Sequence, residues 1–169
     1  RLAATVPVCQ KCYSMKALKS YRSNSRKAYQ HNSAVLSLPY PMPGYLISPI
    51  YTDVFRLFSH GDVEDANMAR NVMLVVRTFP NTRFVAWSKN TAAWHEAIEL
   101  DGKPDNLRLI SSNGSLINVR STPPRLFDMT FNVTLKGSDK PINRHSKCRE
   151  CMRCYAAVID NPVIIEELK

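Results

Sequence analysis

The sequence predicts an α/β protein, a partial barrel or open sheet of mainly parallel strands with crossover helices, and three observations lead there. Short β-branched or aromatic runs alternate with amphipathic stretches between residues 54 and 112. Pro, Gly and Asn punctuate the junctions between them. Five cysteines stand only near the two ends of the chain, a placement that joins the termini at one cysteine metal site. Strand, helix, strand, helix, strand at this spacing favours parallel pairing through right-handed crossovers.

The elements follow in order. The segment from Cys12 to about Leu38 begins with the helix formers MKALKSY and carries Lys16, Lys19, Arg22, Arg26 and Lys27. It predicts a basic helix over about 13–36 with a break near Ser23 to Ser25. LPYPMPG (38–44) holds three prolines and reads as a connector. VFRLFS (54–59) predicts a strand that turns at His60-Gly61-Asp62. Apolar residues at Ala66, Ala69, Val72, Met73, Val76 and Phe79 mark a helix from Val63 to Phe79, with Asp62 expected as its N-cap. RFVAWS (83–88), Thr91 to Leu100 and LRLIS (107–111) are read as strand, helix and strand. Beyond Gly114, Leu116 to Val119 and MTFNVTL (129–135) are strand-like, and Val163 to Leu168 is read as helix or strand. The cysteine segment itself is placed at 145–157, all within one α/β domain over 1–169.

A chain of 169 residues and 19.2 kDa fits one domain with a sizeable core. Charged residues are 22% of it, which argues against disorder. No apolar run reaches the roughly 20 residues that cross a bilayer as a helix, so no membrane partner is expected. Lys and Arg number 23 against 14 Asp and Glu, a net charge of +9, which favours nucleic acid or another polyanion as partner. RLAATVPVCQKC has no initiator Met and no signal-peptide design, so the start is expected to be the edge of a longer or processed protein. Walker-type, G-x-G-x-x-G, H-E-x-x-H and G-x-S-x-G patterns are missing from the sequence, which removes the usual support for nucleotide and serine-hydrolase chemistry.

The cysteines carry the most chemistry. Cys9 and Cys12 form C-x-x-C, and Cys148, Cys151 and Cys154 form C-x-x-C-x-x-C. Two-residue spacing lets thiolates converge on zinc or an iron–sulfur cluster, and spacing leaves the two metals about even. For zinc, four of the five cysteines, or three with His145, would suffice. A disulfide framework fits an odd count with this spacing poorly. Tyr13 and Tyr155 each follow a cysteine, where a ring can shield a thiolate or simply pack.

Parallel sheets gather ligands beyond the carboxyl ends of their strands. Those ends place His60 and Asp62 as candidate catalytic residues and Ser88 and Lys89 as candidate cofactor-binding residues, with Ser111, Ser112 and Asn113 beyond the third strand. His60 suits proton transfer, against the simpler capping role of Asp62. His31, His95 and His145 have weaker claims.

CQKCYSMKALKSYRSNSRKAYQHN, FRLFSHGD, FPNTRFVAWSKN and CRECMRC together resemble the bacteriophage family called gene product eighty-eight, over roughly residues 9–155. The family pattern runs C-x-x-C-Y-A, then His-x-Ser-Gly-Asp, then Pro-x-x-x-Phe-x-x-Tyr-Thr-Lys. Here His60 falls between Ser59 and Gly61, and Trp87-Ser88-Lys89 stands at the last of these motifs. The resemblance implies a phage protein of the host cytoplasm, a partial parallel barrel and cysteine-bound metal, similar in outline to radical enzymes with an iron–sulfur cluster. Their C-x-x-x-C-x-x-C is absent, so radical chemistry does not follow.

Three functions are therefore expected to compete. One is a metalloprotein with an iron–sulfur cluster (4Fe–4S) favoured and zinc as alternative, and with a small-molecule or redox site at the strand ends. Another is a nucleic-acid-binding module, its basic helix interleaved with Tyr13, Tyr21 and Tyr29 on one face. The last is a virion or host-takeover protein without catalysis, whose metal only locks the fold.

Overall fold

Five strands lie side by side and all parallel, in the order in which the chain makes them. They are β1 (Val54–Leu57), β2 (Arg83–Ser88), β3 (Leu107–Ser112), β4 (Met129–Thr134) and β5 (Val163–Glu167). The computed structural model describes residues 13–20, 23–143, 148–156 and 159–168. Among the described residues, five helices accompany the sheet: α1 (Tyr13–Lys19), α2 (Arg26–Leu36), α3 (Ala66–Thr78), α4 (Thr91–Asp101) and the single turn α5 (Cys148–Cys151). Short 3-10 turns stand at Ser23–Ser25, Gly44–Leu46 and Arg153–Tyr155.

Because every connection advances by one strand, the sheet is singly wound, and strand order never reverses to open a crevice in its middle. All five carboxyl ends instead share one rim of the sheet.

Side chains alternate across each strand, so the central strands β2 and β3 feed two cores. Phe84, Ala86, Leu107 and Leu109 are buried against Ala69, Val72, Met73 and Val76 of α3 and Ala93, Trp94, Ala97 and Ile98 of α4. Val85, Ile110, Met129 and Ile164 point the other way and form a second, smaller core. Trp87, Phe131, Cys154, Tyr155 and Ile159 pack against that second core.

Local chemistry sets the boundaries. β1 stops at Leu57, short of the expected Ser59, because Phe58 takes φ +51°, a left-handed turn that a strand cannot continue through. α3 begins at Ala66 and not at Val63, and its N-cap is Asp65 in place of the expected Asp62. Asp65 has the extended backbone of an N-cap and accepts the Met68 amide at 2.8 Å, while Asp62 is engaged by the next strand. α4 is capped by Asn90 and ends at Gly102, whose φ of +72° turns the chain. Leu116 to Val119 is not a strand. Asn113 Oδ1 accepts the Ser115 amide and Ser115 Oγ accepts those of Ile117 and Asn118, so side chains satisfy this backbone without a ladder. The segment at 163 resolves as strand, pairing with β4 along its whole length.

The basic segment is two helices separated at Ser23–Ser25. Tyr13 belongs to α1 and Tyr29 to α2, so the two do not share one helix. Tyr21 lies outside the described residues. Asn67 and Asn71 of α3 hold the connector that follows α2: Asn67 accepts the Tyr40 amide, Asn71 accepts the Met42 amide, and both donate to the Leu38 carbonyl.

Candidate functional site

At the shared rim, the loop after β1 is tied to the end of β2 by Asp62. Its Oδ1 accepts the Val63 amide at 2.9 Å and the Ser88 hydroxyl at 2.6 Å, and its Oδ2 accepts the Lys89 amide at 2.6 Å. Ser88 is buried and its hydroxyl also accepts the Asn90 amide. Asn90 then donates to the carbonyls of Val63 and Glu64. Both carboxylate oxygens are thus spent on local structure, and the arrangement fixes the relative position of two strand-end loops.

His60 lies on the same loop, with its ring stacked on Tyr29 of α2 at 4.7 Å and 19°. Both of its ring nitrogens are buried. The structure therefore brings Asp62, Ser88 and Lys89 together directly and sets His60 beside them under α2. Along the rim, Ser111 is buried and accepts from Arg120 Nη1 at 2.6 Å, and Asn113 donates to Asn132 and to the Asn118 carbonyl. His95 bonds the Arg125 carbonyl at 2.7 Å and meets Phe127 edge-on. His31 is exposed, and His145 lies outside the described residues.

The cysteine segment occupies the sheet face opposite α3 and α4. α5 ends at Cys151, Met152 reverses the chain with φ +47°, and Cys154 sits in the following 3-10 turn. Cys151 and Cys154 are both half-buried, and neither is in a disulfide. With Met152, Arg153 and Tyr155 they line a cleft whose floor is Trp87 of β2 and Phe131 of β4. Cys9, Cys12 and the side chain of Cys148 lie outside the described residues. Among the described residues, no three His, Cys, Asp or Glu side chains gather to hold a metal ion.

Three arginines on the same sheet face stand out. Arg83 Nη1 donates to the Tyr155 carbonyl, and Arg108 Nη1 donates to those of Cys154 at 3.1 Å and Ala156 at 2.6 Å. Arg56 lies over the Trp87 ring, 4.4 Å from its centroid. Burial pulls the Arg108 guanidinium below its ordinary value, Asp128 opposes this, Arg83 adds to it, and Cys154 opposes. Sequence reasoning passed over these residues because a basic side chain inside a short strand reads as surface. Their signal was parity: Arg83, Val85 and Trp87 alternate onto one face, as do Arg108 and Ile110.

A singly wound parallel α/β sheet, with a polar cluster at its carboxyl rim and two cysteines on its second face, defines the class of this protein. The family model for Gene product 88 matches residues 3–133, and the chain belongs to that family. The match takes in Cys9, Cys12 and the rim cluster and ends before the Cys148 group. Neither the comparison with curated proteins nor that with solved structures finds a match. No helix among the described residues is long and apolar enough to cross a membrane.

Proposed function

We propose that this chain is a thiolate–metal protein in which Cys148, Cys151 and Cys154, with Cys9 or Cys12, hold an iron–sulfur cluster of the 4Fe–4S type, with zinc as the alternative. The observation that carries the reading is the pair of half-buried, non-disulfide cysteines Cys151 and Cys154, set against Trp87, Phe131 and Tyr155 on a sheet face that α3 and α4 leave uncovered. The donor set fits: thiolates three residues apart, aromatic walls that exclude water, and arginine charge close by to offset a negative centre. Bound there, the cluster would supply one-electron transfer.

The chain's own residues do the rest. Trp87 and Phe131 shelter the thiols, while Asp62 and Ser88 shape the rim where His60 and Lys89 border a small-molecule site. The test is anaerobic purification of the protein followed by assay of iron, zinc and acid-labile sulfide. Stoichiometric iron and sulfide with a brown colour, both lost in Cys151→Ala and Cys154→Ala, support the cluster. Zinc without sulfide selects the alternative, and neither metal refutes the reading.

A second reading, a nucleic-acid-binding module with a structural metal, draws on Lys16, Lys19, Arg26 and Lys27, all exposed on α1 and α2. Binding to single-stranded or duplex nucleic acid that weakens steeply with salt would favour it.

A further inference from the structure

The second core has an unusual cover. On the α3/α4 side the sheet is closed by two helices of 13 and 11 residues. On the other side, Val85, Ile110, Met129 and Ile164 are packed by the cysteine segment, whose regular structure among the described residues is one four-residue turn and one 3-10 turn. So short a segment has little hydrogen bonding of its own to keep it in place. Its helical turns leave carbonyls open, and those of Cys154, Tyr155 and Ala156 are the ones met by Arg83 and Arg108.

These contacts span 46 to 72 residues of sequence and come from two adjacent strands. A guanidinium suits this task because its planar fork reaches several acceptors at once and its charge persists at any physiological pH. Arg108 carries it despite burial that works against its charge. Arg153 completes the anchorage from the segment's side by donating to the carbonyls of Asn161 and Val163, at the head of β5.

We propose that Arg83 and Arg108 are positioning residues that latch the cysteine segment onto the sheet, so that Cys151 and Cys154 are presented at the Trp87–Phe131 cleft before any metal arrives. The part of this inference that concerns metal rests on the thiolate-centre reading. The latch itself does not.

The experiment is hydrogen exchange followed by mass spectrometry on the metal-free protein, comparing wild type with Arg83→Gln, Arg108→Gln and Arg108→Lys. Peptides covering 148–156 are expected to exchange at least about tenfold faster in both glutamine variants, since each loses charged hydrogen bonds to that backbone. Peptides from α3 and α4 should stay unchanged, which separates unlatching from unfolding. Arg108→Lys, keeping the charge and one donor group without the fork, is expected to fall between wild type and Arg108→Gln.

Arg77→Gln is the control, because Arg77 makes comparable bonds to the carbonyls of Asp101 and Gly102 on α4 and its following turn. It should leave 148–156 unaltered. If the glutamine variants exchange like wild type at 148–156, the latch is overturned, whatever the metal content. If they loosen that segment in a protein that never acquires metal, the latch stands and the cluster reading alone fails. Where metal is present, the same variants should release it to a chelator faster than wild type does.

Discussion

Replacing Asp62 with alanine removes the tie between the first two strand-end loops, and the structure sets the size of the loss. Three donors are stranded: the amides of Val63 and Lys89 and the hydroxyl of Ser88, a residue only 1% exposed. Hydrogen bonds to an ionised acceptor are worth roughly 1.5–3 kcal/mol each, but amides near the rim regain water, so the net cost is about 2–4 kcal/mol. For a domain of this size each kcal/mol moves the midpoint by about 2–4 °C, so Tm should fall by roughly 4–16 °C. Asp62→Asn keeps one acceptor oxygen and turns an amide NH2 group toward a donor, so it should lie between parent and Asp62→Ala. Urea and thermal unfolding followed by far-UV circular dichroism measure all three proteins. A stability for Asp62→Ala within about 0.5 kcal/mol of the parent would show that the network contributes no more than an ordinary surface contact, and the reasoning would fail.

Two further outcomes follow from other parts of the fold. Asn71 is fully buried, accepts the Met42 amide and donates to the carbonyls of Leu36 and Leu38. Asn71→Ala should cost about 1–3 kcal/mol and make the 36–44 connector more sensitive to limited proteolysis, and an unchanged cleavage pattern would count against this anchoring role. Beside Asn71 on α3, a two-point hydrogen bond from Arg70 to the end of α4 holds the Asp101 carboxyl below its ordinary value. A carboxyl lowered in the folded state stabilises it above the unfolded carboxyl's range, and that contribution fades as pH falls from about 4 downward. Asp101→Asn should therefore lose stability near neutral pH and show a flatter acid limb, whereas an acid limb parallel to the parent's would rule the linkage out.

Much of the scaffold was legible because local signals agreed with one another. The stripe from Ala66 to Val76 is helical in period, its residues meet the sheet, and Gly102 stops α4 where a left-handed turn is needed. The exceptions lie where a polar side chain chose a distant partner over a near one. Asp62 has the chemistry of an N-cap, yet it serves Ser88 and Lys89, 26 and 27 residues on, and Asp65 caps the helix instead. Leu116 to Val119 has strand-like composition, but Asn113 and Ser115 satisfy its backbone first.

What the amino-acid order alone determined is the alternation of strands and helices, the parallel pairing that such crossovers require, and the grouping of cysteines toward both ends. These depend on periodicity and spacing, which are properties of neighbours along the chain. Only the tertiary structure decided that the five strands run in unbroken order, that Cys151 and Cys154 lie over the second sheet face, and that Arg83 and Arg108 reach the backbone beside them. Those relations join residues dozens of positions apart. Which distant groups meet is set by how the sheet twists and packs as a whole, and no local pattern encodes it.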